Sequence, residues 1–136
     1  MKEGLKGLVI CVLGGDSREI ELIRRFLEEG AQVKTVGYPP LDELEGTVRE
    51  TSVFQGIHGA SAIVVGMGGF DVGGKVKTLD PEFNIALTEE LLALIPPGTP
   101  LLVGAARPRL RELASKHNVN LVEVTEDDEI SIRNSI

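Results

Sequence analysis

Apolar residues run almost unbroken over positions 8–13, the pattern of a strand covered on both faces in a parallel sheet. Directly after it the period changes. Ile20, Ile23, Phe26 and Leu27 share one helical face, Glu21, Arg24, Arg25 and Glu28 share the other, and Gly30 stands where a helix-ending glycine is expected. Residues 31–37 then read as a second strand, 60–66 as a third, 101–104 as a fourth and 120–124 as a fifth. Between them lie a helix over 88–95 stopped by Pro96 and Pro97, and another opened by Pro108, striped by Leu110, Leu113 and Ala114 and ended at Asn118. A short helix opened by residues 125–128 closes the pattern.

Strands alternating with helices imply a parallel sheet with right-handed crossovers and helices on both faces. The expected fold class is therefore α/β: a Rossmann-like or flavodoxin-like three-layer sandwich around a five-stranded parallel sheet of order 2-1-3-4-5. Residues 39–51 read as an acidic, proline-containing connection and 55–59 as a weak helical turn. No repeat, low-complexity segment or interdomain linker interrupts residues 1–136, so a single domain is expected.

Composition narrows the chemistry. Fourteen Lys and Arg against 21 Asp and Glu give a formal net charge of −7, which repels a polyanion and argues against nucleic acid as a partner. An anionic small molecule would need a local cluster of cations. Trp is absent and Phe and Tyr are few, so the core is expected to be aliphatic. Cys11, the only cysteine, allows no internal disulfide; a small buried hydrophobe in a reducing compartment is the natural reading. Residues 1–4 lack the apolar region of a leader, and no apolar run approaches the roughly 20 residues that cross a bilayer, so a soluble cytoplasmic protein with no membrane partner is expected.

Three strand-end segments carry candidate chemistry. In the turn Gly14-Gly15-Asp16-Ser17-Arg18-Glu19 the glycines permit close backbone approach and Arg18 offers a planar fork suited to a carboxylate. The competing reading makes Asp16 a helix cap with Glu19 reaching back and Arg18 merely solvated. A dinucleotide fingerprint is excluded here, because Asp16 and Glu19 stand where glycines are required and no acidic residue closes the second strand.

The second segment, residues 66–77, places Gly66, Gly68, Gly69, Gly73 and Gly74 around Met67, Phe70 and Asp71 before Lys75 and Lys77. It is either a loop that closes on substrate or a flexible surface loop. Gly69 to Lys75 even fits G-x-x-x-x-G-K, but Val76 follows where Ser or Thr belongs, which disfavours a phosphate loop. In the third, Gly104-Ala105-Ala106-Arg107, Arg107 and Arg109 either reach the same edge as Arg18 and Lys75 or are solvated charges around a helix start. His58 and His117 read as surface histidines, and the acidic run 126–129 as helix capping rather than a metal cage.

Three motifs together, Val12-Leu13-Gly14-Gly15-Asp16-Ser17-Arg18, Gly73-Gly74-Lys75-Val76 and the ending Glu126-Asp127-Asp128-Glu129-Ile130-Ser131-Ile132-Arg133-Asn134-Ser135-Ile136, resemble the N-terminal domain of the dipicolinate synthase A-type subunit. The resemblance implies a two-domain relative of the 2-hydroxyacid dehydrogenases. It implies further that substrate lies between the two domains and that a following Rossmann domain binds NAD(P). It also implies oxidation of a dihydrodipicolinate-type precursor to dipicolinic acid during sporulation, together with a flavoprotein-like second subunit. This chain stops at Ile136, where that family continues into its nucleotide-binding half.

The expectation is thus a substrate-side domain binding a small dicarboxylate through Gly15, Asp16, Arg18, Gly68, Gly69, Lys75, Gly104, Arg107 and Asn134. It holds no cofactor or metal itself, and no residue is assigned a catalytic role. The alternative is a stand-alone, non-catalytic flavodoxin-like module for an anionic metabolite or a protein partner; a homo-oligomeric, dimerising role suits the same fold.

Overall fold

The computed structural model describes residues 4–65, 75–104 and 108–123. The apolar run becomes β1 (Val9–Leu13), followed by α1 (Arg18–Glu28) and β2 (Gln32–Val36). After a 3₁₀ turn, Asp42–Leu44, come β3 (Val48–Glu50), α2 (Val53–Ile57) and β4 (Ala62–Val65). A small hairpin of β5 (Lys75–Val76) and β6 (Ile85–Ala86) precedes α3 (Glu89–Ala93), β7 (Pro100–Val103), α4 (Pro108–Lys116) and β8 (Asn120–Glu123).

The central sheet is parallel throughout, in the order β3-β2-β1-β4-β7-β8. The five expected strands appear in the expected relative order, but a sixth, β3, extends the edge beyond β2 within what reads as the acidic connection. Val48 and Arg49 are exposed there, so the segment lacks the burial that generates an apolar pattern. The antiparallel β5–β6 hairpin is likewise absent from the sequence pattern; its strands are two residues each, too short for a periodic signature. The short helix expected after 124 lies outside the described residues.

Successive residues of β1 serve opposite cores, which explains its unbroken apolar character. Ile10 and Val12 pack with Ile23 and Phe26 of α1, Val33, Tyr38 and Leu44. Cys11 and Leu13 pack on the other face with Ile57, Leu92 and Leu110 from α2, α3 and α4. Helix α2 comes especially close: a Cβ on Gly56 would lie 2.5 Å from Val36 Cγ2 and 3.1 Å from Cys11 Sγ. Cys11 is fully buried, and burial pushes its thiol up to about 12.

The helix boundaries follow local chemistry. Thr88 caps α3 by accepting the Leu91 N–H, and Asn118 leaves α4 with φ +56°. His58 is exposed, as expected, whereas His117 is half-buried: α4 sets its Nε2 3.6 Å from the Glu89 carboxylate of α3. No helix among the described residues is long and apolar enough to cross a membrane.

Candidate functional site at the carboxyl edge of the sheet

Because the central strands are parallel, the segments leaving their carboxyl ends share one edge of the molecule. Strand order reverses between β1 and β4, the switch point where ligands collect in open α/β sheets. The turn after β1 borders that point.

The turn is locked from three sides. Gly14 N–H donates to the Val36 carbonyl at 2.8 Å and Gly15 N–H to the Lys77 carbonyl at 2.6 Å, while the buried Tyr38 hydroxyl donates to the Gly14 carbonyl at 2.7 Å. A Cβ on Gly14 would sit 2.6 Å from the Lys77 carbonyl oxygen, and one on Gly15 2.8 Å from both Glu19 and the Tyr38 hydroxyl. Both glycines also hold positive φ, +63° and +123°. The backbone that approaches so closely is therefore the chain's own segment after β5.

Side chains around the turn form a charged cluster. The Asp16 carboxylate accepts the Arg18 N–H at 2.9 Å, and also Arg18 Nε at 3.1 and 3.3 Å and Nη2 at 3.1 Å. Lys77 Nζ stands 3.8 Å from the same carboxylate. Behind them, Glu19 is fully buried and accepts the Asp16 N–H at 3.1 Å. Both features of the expected cap are thus present, Asp16 over the helix start and Glu19 reaching back, but Arg18 is folded against Asp16.

The hydrogen-bonded Arg18 guanidinium holds the Asp16 carboxyl down to about 2. Burial, reinforced by the negative Glu19 and Asp16, pushes the Tyr38 phenol well above its ordinary range. Arg18 and Lys77 remain more than half exposed, at 55% and 64%, so both can also meet a carboxylate arriving from solvent. A dinucleotide pyrophosphate does not fit this turn, since the Asp16 carboxylate stands over the helix start.

The structure brings Gly15, Asp16 and Arg18 together. Lys75 is on β5, two residues before Lys77, and exposed. Gly104 follows β7 at the same edge, two strand spacings or about 10 Å from β1. Gly68, Gly69, Arg107 and Asn134 lie outside the described residues. Among the described residues no three His, Cys, Asp or Glu side chains gather as a metal-holding group.

Sequence reasoning places Lys77 at the end of the second candidate segment without bringing it to Asp16, and it misses Tyr38. The signal for Lys77 is the alternation Lys75-Val76-Lys77, which turns Val76 inward and both lysines outward. The signal for Tyr38 is weaker: it is the only tyrosine, placed directly after the second strand.

Comparison with known proteins agrees with this architecture. Residues 9–125 match the family described as the N-terminal domain of the dipicolinate synthase A-type subunit. The dipicolinate synthase A-type subunit of Bacillus subtilis (strain 168) is 31% identical, the match covering 97% of this chain and 45% of that protein. The chain therefore spans less than half the length of this relative. The crystal structure of the dipicolinate synthase A-type subunit from Bacillus halodurans superposes with a TM-score of 0.75 at 28% identity, covering 97% of this chain and 44% of that one. At 16% identity, the D-mandelate dehydrogenase of Rhodotorula graminis shares the fold alone, with a TM-score of 0.63 over 93% of this chain and 37% of that one.

Proposed function

Since the chain belongs to the family of dipicolinate synthase A-type N-terminal domains, we propose that it is the substrate-side domain of a dipicolinate synthase A-type subunit. Its task is to hold the carboxylates of a dihydrodipicolinate-type precursor during oxidation to dipicolinic acid in a sporulating cell's cytoplasm. The observation that carries this reading is the convergence of Arg18 and Lys77 on one carboxylate beside the sheet's switch point. A position that already seats the Asp16 carboxylate between a guanidinium and an ammonium group has the donors a dicarboxylate needs.

The oxidation removes a hydride and a proton from the dihydro ring. The hydride acceptor, an NAD(P) nucleotide, belongs to the part of the relatives that this chain does not span, because the β1 turn does not suit a pyrophosphate. A flavoprotein-like second subunit is the proposed partner. The family match favours this role over that of a stand-alone metabolite module.

Titrating the chain with dipicolinate while following backbone amide resonances tests the reading. Gly15, Arg18 and Lys77 should shift saturably, and Arg18→Ala should weaken binding about fivefold, the value of one exposed charge-assisted contact near 1 kcal/mol. Shifts confined to other segments, or equal affinity in Arg18→Ala, would remove this turn from the substrate site.

A further inference from the structure

A second recess lies further along the same edge, beyond β2. It is an open recess of about 510 Å³, and its walls come from the end of β3, the start of α2 and the segment that leads from β5 into β6. Arg49, Thr51, Asp80, Glu82, Phe83 and Asn84 line it. None of them belongs to the Arg18 cluster.

The recess is held in shape by backbone hydrogen bonds. Arg49 Nε donates to the Tyr38 carbonyl at 2.8 Å, which fixes the guanidinium at one end. On the facing wall, Asp80 N–H donates to the Gly37 carbonyl at 3.0 Å, and Asp80 Oδ1 accepts the Glu82 N–H at 3.0 Å. Phe83 N–H donates to the Asp80 carbonyl at 3.1 Å, closing the turn.

Across the recess Arg49 Nη2 and Asp80 Oδ2 stand 3.7 Å apart. That is close enough for charge attraction and too long for a hydrogen bond. The Asp80 side chain is 14% exposed and that of Arg49 39%, so both members of the pair reach the open side of the recess. An ion pair left ajar in this way has one donor surface and one acceptor surface to offer a third molecule.

Charge then selects the molecule. Asp80 and Glu82 outnumber Arg49, so a simple anion is repelled, whereas a molecule with both charges satisfies both walls. We propose that this recess binds a small zwitterion, an α-amino acid with a short apolar side chain. Its carboxylate lies on the Arg49 guanidinium, its ammonium group on Asp80 and Glu82, and its side chain against Phe83. The site is separate from the proposed dicarboxylate turn, and Tyr38 and Gly37 connect the two through the backbone.

The test is a titration of the 136-residue chain with L-valine, following the amides of Thr51, Glu82 and Asn84. A saturable shift with a Kd of about 1 mM is expected. N-acetyl-L-valine lacks the ammonium group, and L-valinamide lacks the carboxylate. Each should bind at least about tenfold more weakly, as should succinate. Arg49→Gln should lose the response to a similar degree, while Arg18→Gln should keep it. Should Arg49→Gln fail to fold, the two blocked ligands read the same contacts without a substitution. No saturable shift by about 10 mM L-valine overturns the proposal. So does an equal response to succinate or L-valinamide, or loss of the response in Arg18→Gln.

Discussion

Replacing Asp16 by Asn separates stability from ligand binding at the β1 turn, because the two should move in opposite directions. Asn keeps an oxygen that accepts the Arg18 N–H, so the cap over α1 survives, while the charge and the acceptor for Arg18 Nη2 are lost. That charge interacts with the helix dipole and with the largely exposed Arg18 and Lys77. Allowing for solvent screening, the variant should be about 1 kcal/mol less stable at pH 7, a fall of roughly 3 °C in Tm for a chain this size. The pH dependence follows from the lowered pKa of Asp16. Asp16 titrates near 3.8 unfolded and about 2 folded, so its contribution is complete above 3.8 and lost as pH falls through about 2. Urea unfolding of both proteins across that interval should show the difference shrinking.

Dipicolinate binding should change the other way. A ligand carboxylate reaching Arg18 and Lys77 lies roughly 5 Å from Asp16, where like charges in water repel by about 0.8 kcal/mol. Removing that repulsion should tighten binding roughly fourfold at low salt, less as salt screens it. Calorimetric or resonance titrations of both proteins measure this directly. Unchanged or weaker binding in Asp16→Asn would refute the view that Arg18 and Lys77 receive the ligand beside Asp16.

Tyr38→Phe removes the donor to the buried Gly14 carbonyl but leaves the backbone carbonyl that holds Arg49. A loss of about 1–2 kcal/mol in urea unfolding is expected, with weakened dipicolinate binding and an unaltered L-valine response. Gly56→Ala forces a methyl group against Val36 and Cys11 where α2 meets the sheet, and should cost about 1–3 kcal/mol by the same measurement. Cys11, fully buried with its thiol pushed up to about 12, should resist alkylation by iodoacetamide at pH 8 in native protein and react promptly in urea.

What was legible in the sequence is what burial writes into residue type. Strand β1 touches two cores and so reads as an unbroken apolar run; α1 touches one and so reads as a stripe. Once these periods are assigned, right-handed crossovers leave few ways to order the strands, and the relative order of five of them follows. Strand β3 escapes the same reasoning because its register is set by pairing with β2 while Val48 and Arg49 face solvent.

The functional edge is less legible for a related reason. Arg18 and Asp16 are sequence neighbours, and their pairing is foreshadowed by the capping pattern. Lys77 reaches Asp16 only because the Lys77 carbonyl accepts the Gly15 N–H, and every residue type carries such a carbonyl. The second recess depends still more on main-chain groups: Arg49 rests on the carbonyl of Tyr38 and Asp80 hangs from the carbonyl of Gly37. Contacts of this kind bring distant side chains together without constraining which side chain supplies the carbonyl. A pattern of residue types can therefore reveal the cations and carboxylates of an edge, but not which of them meet.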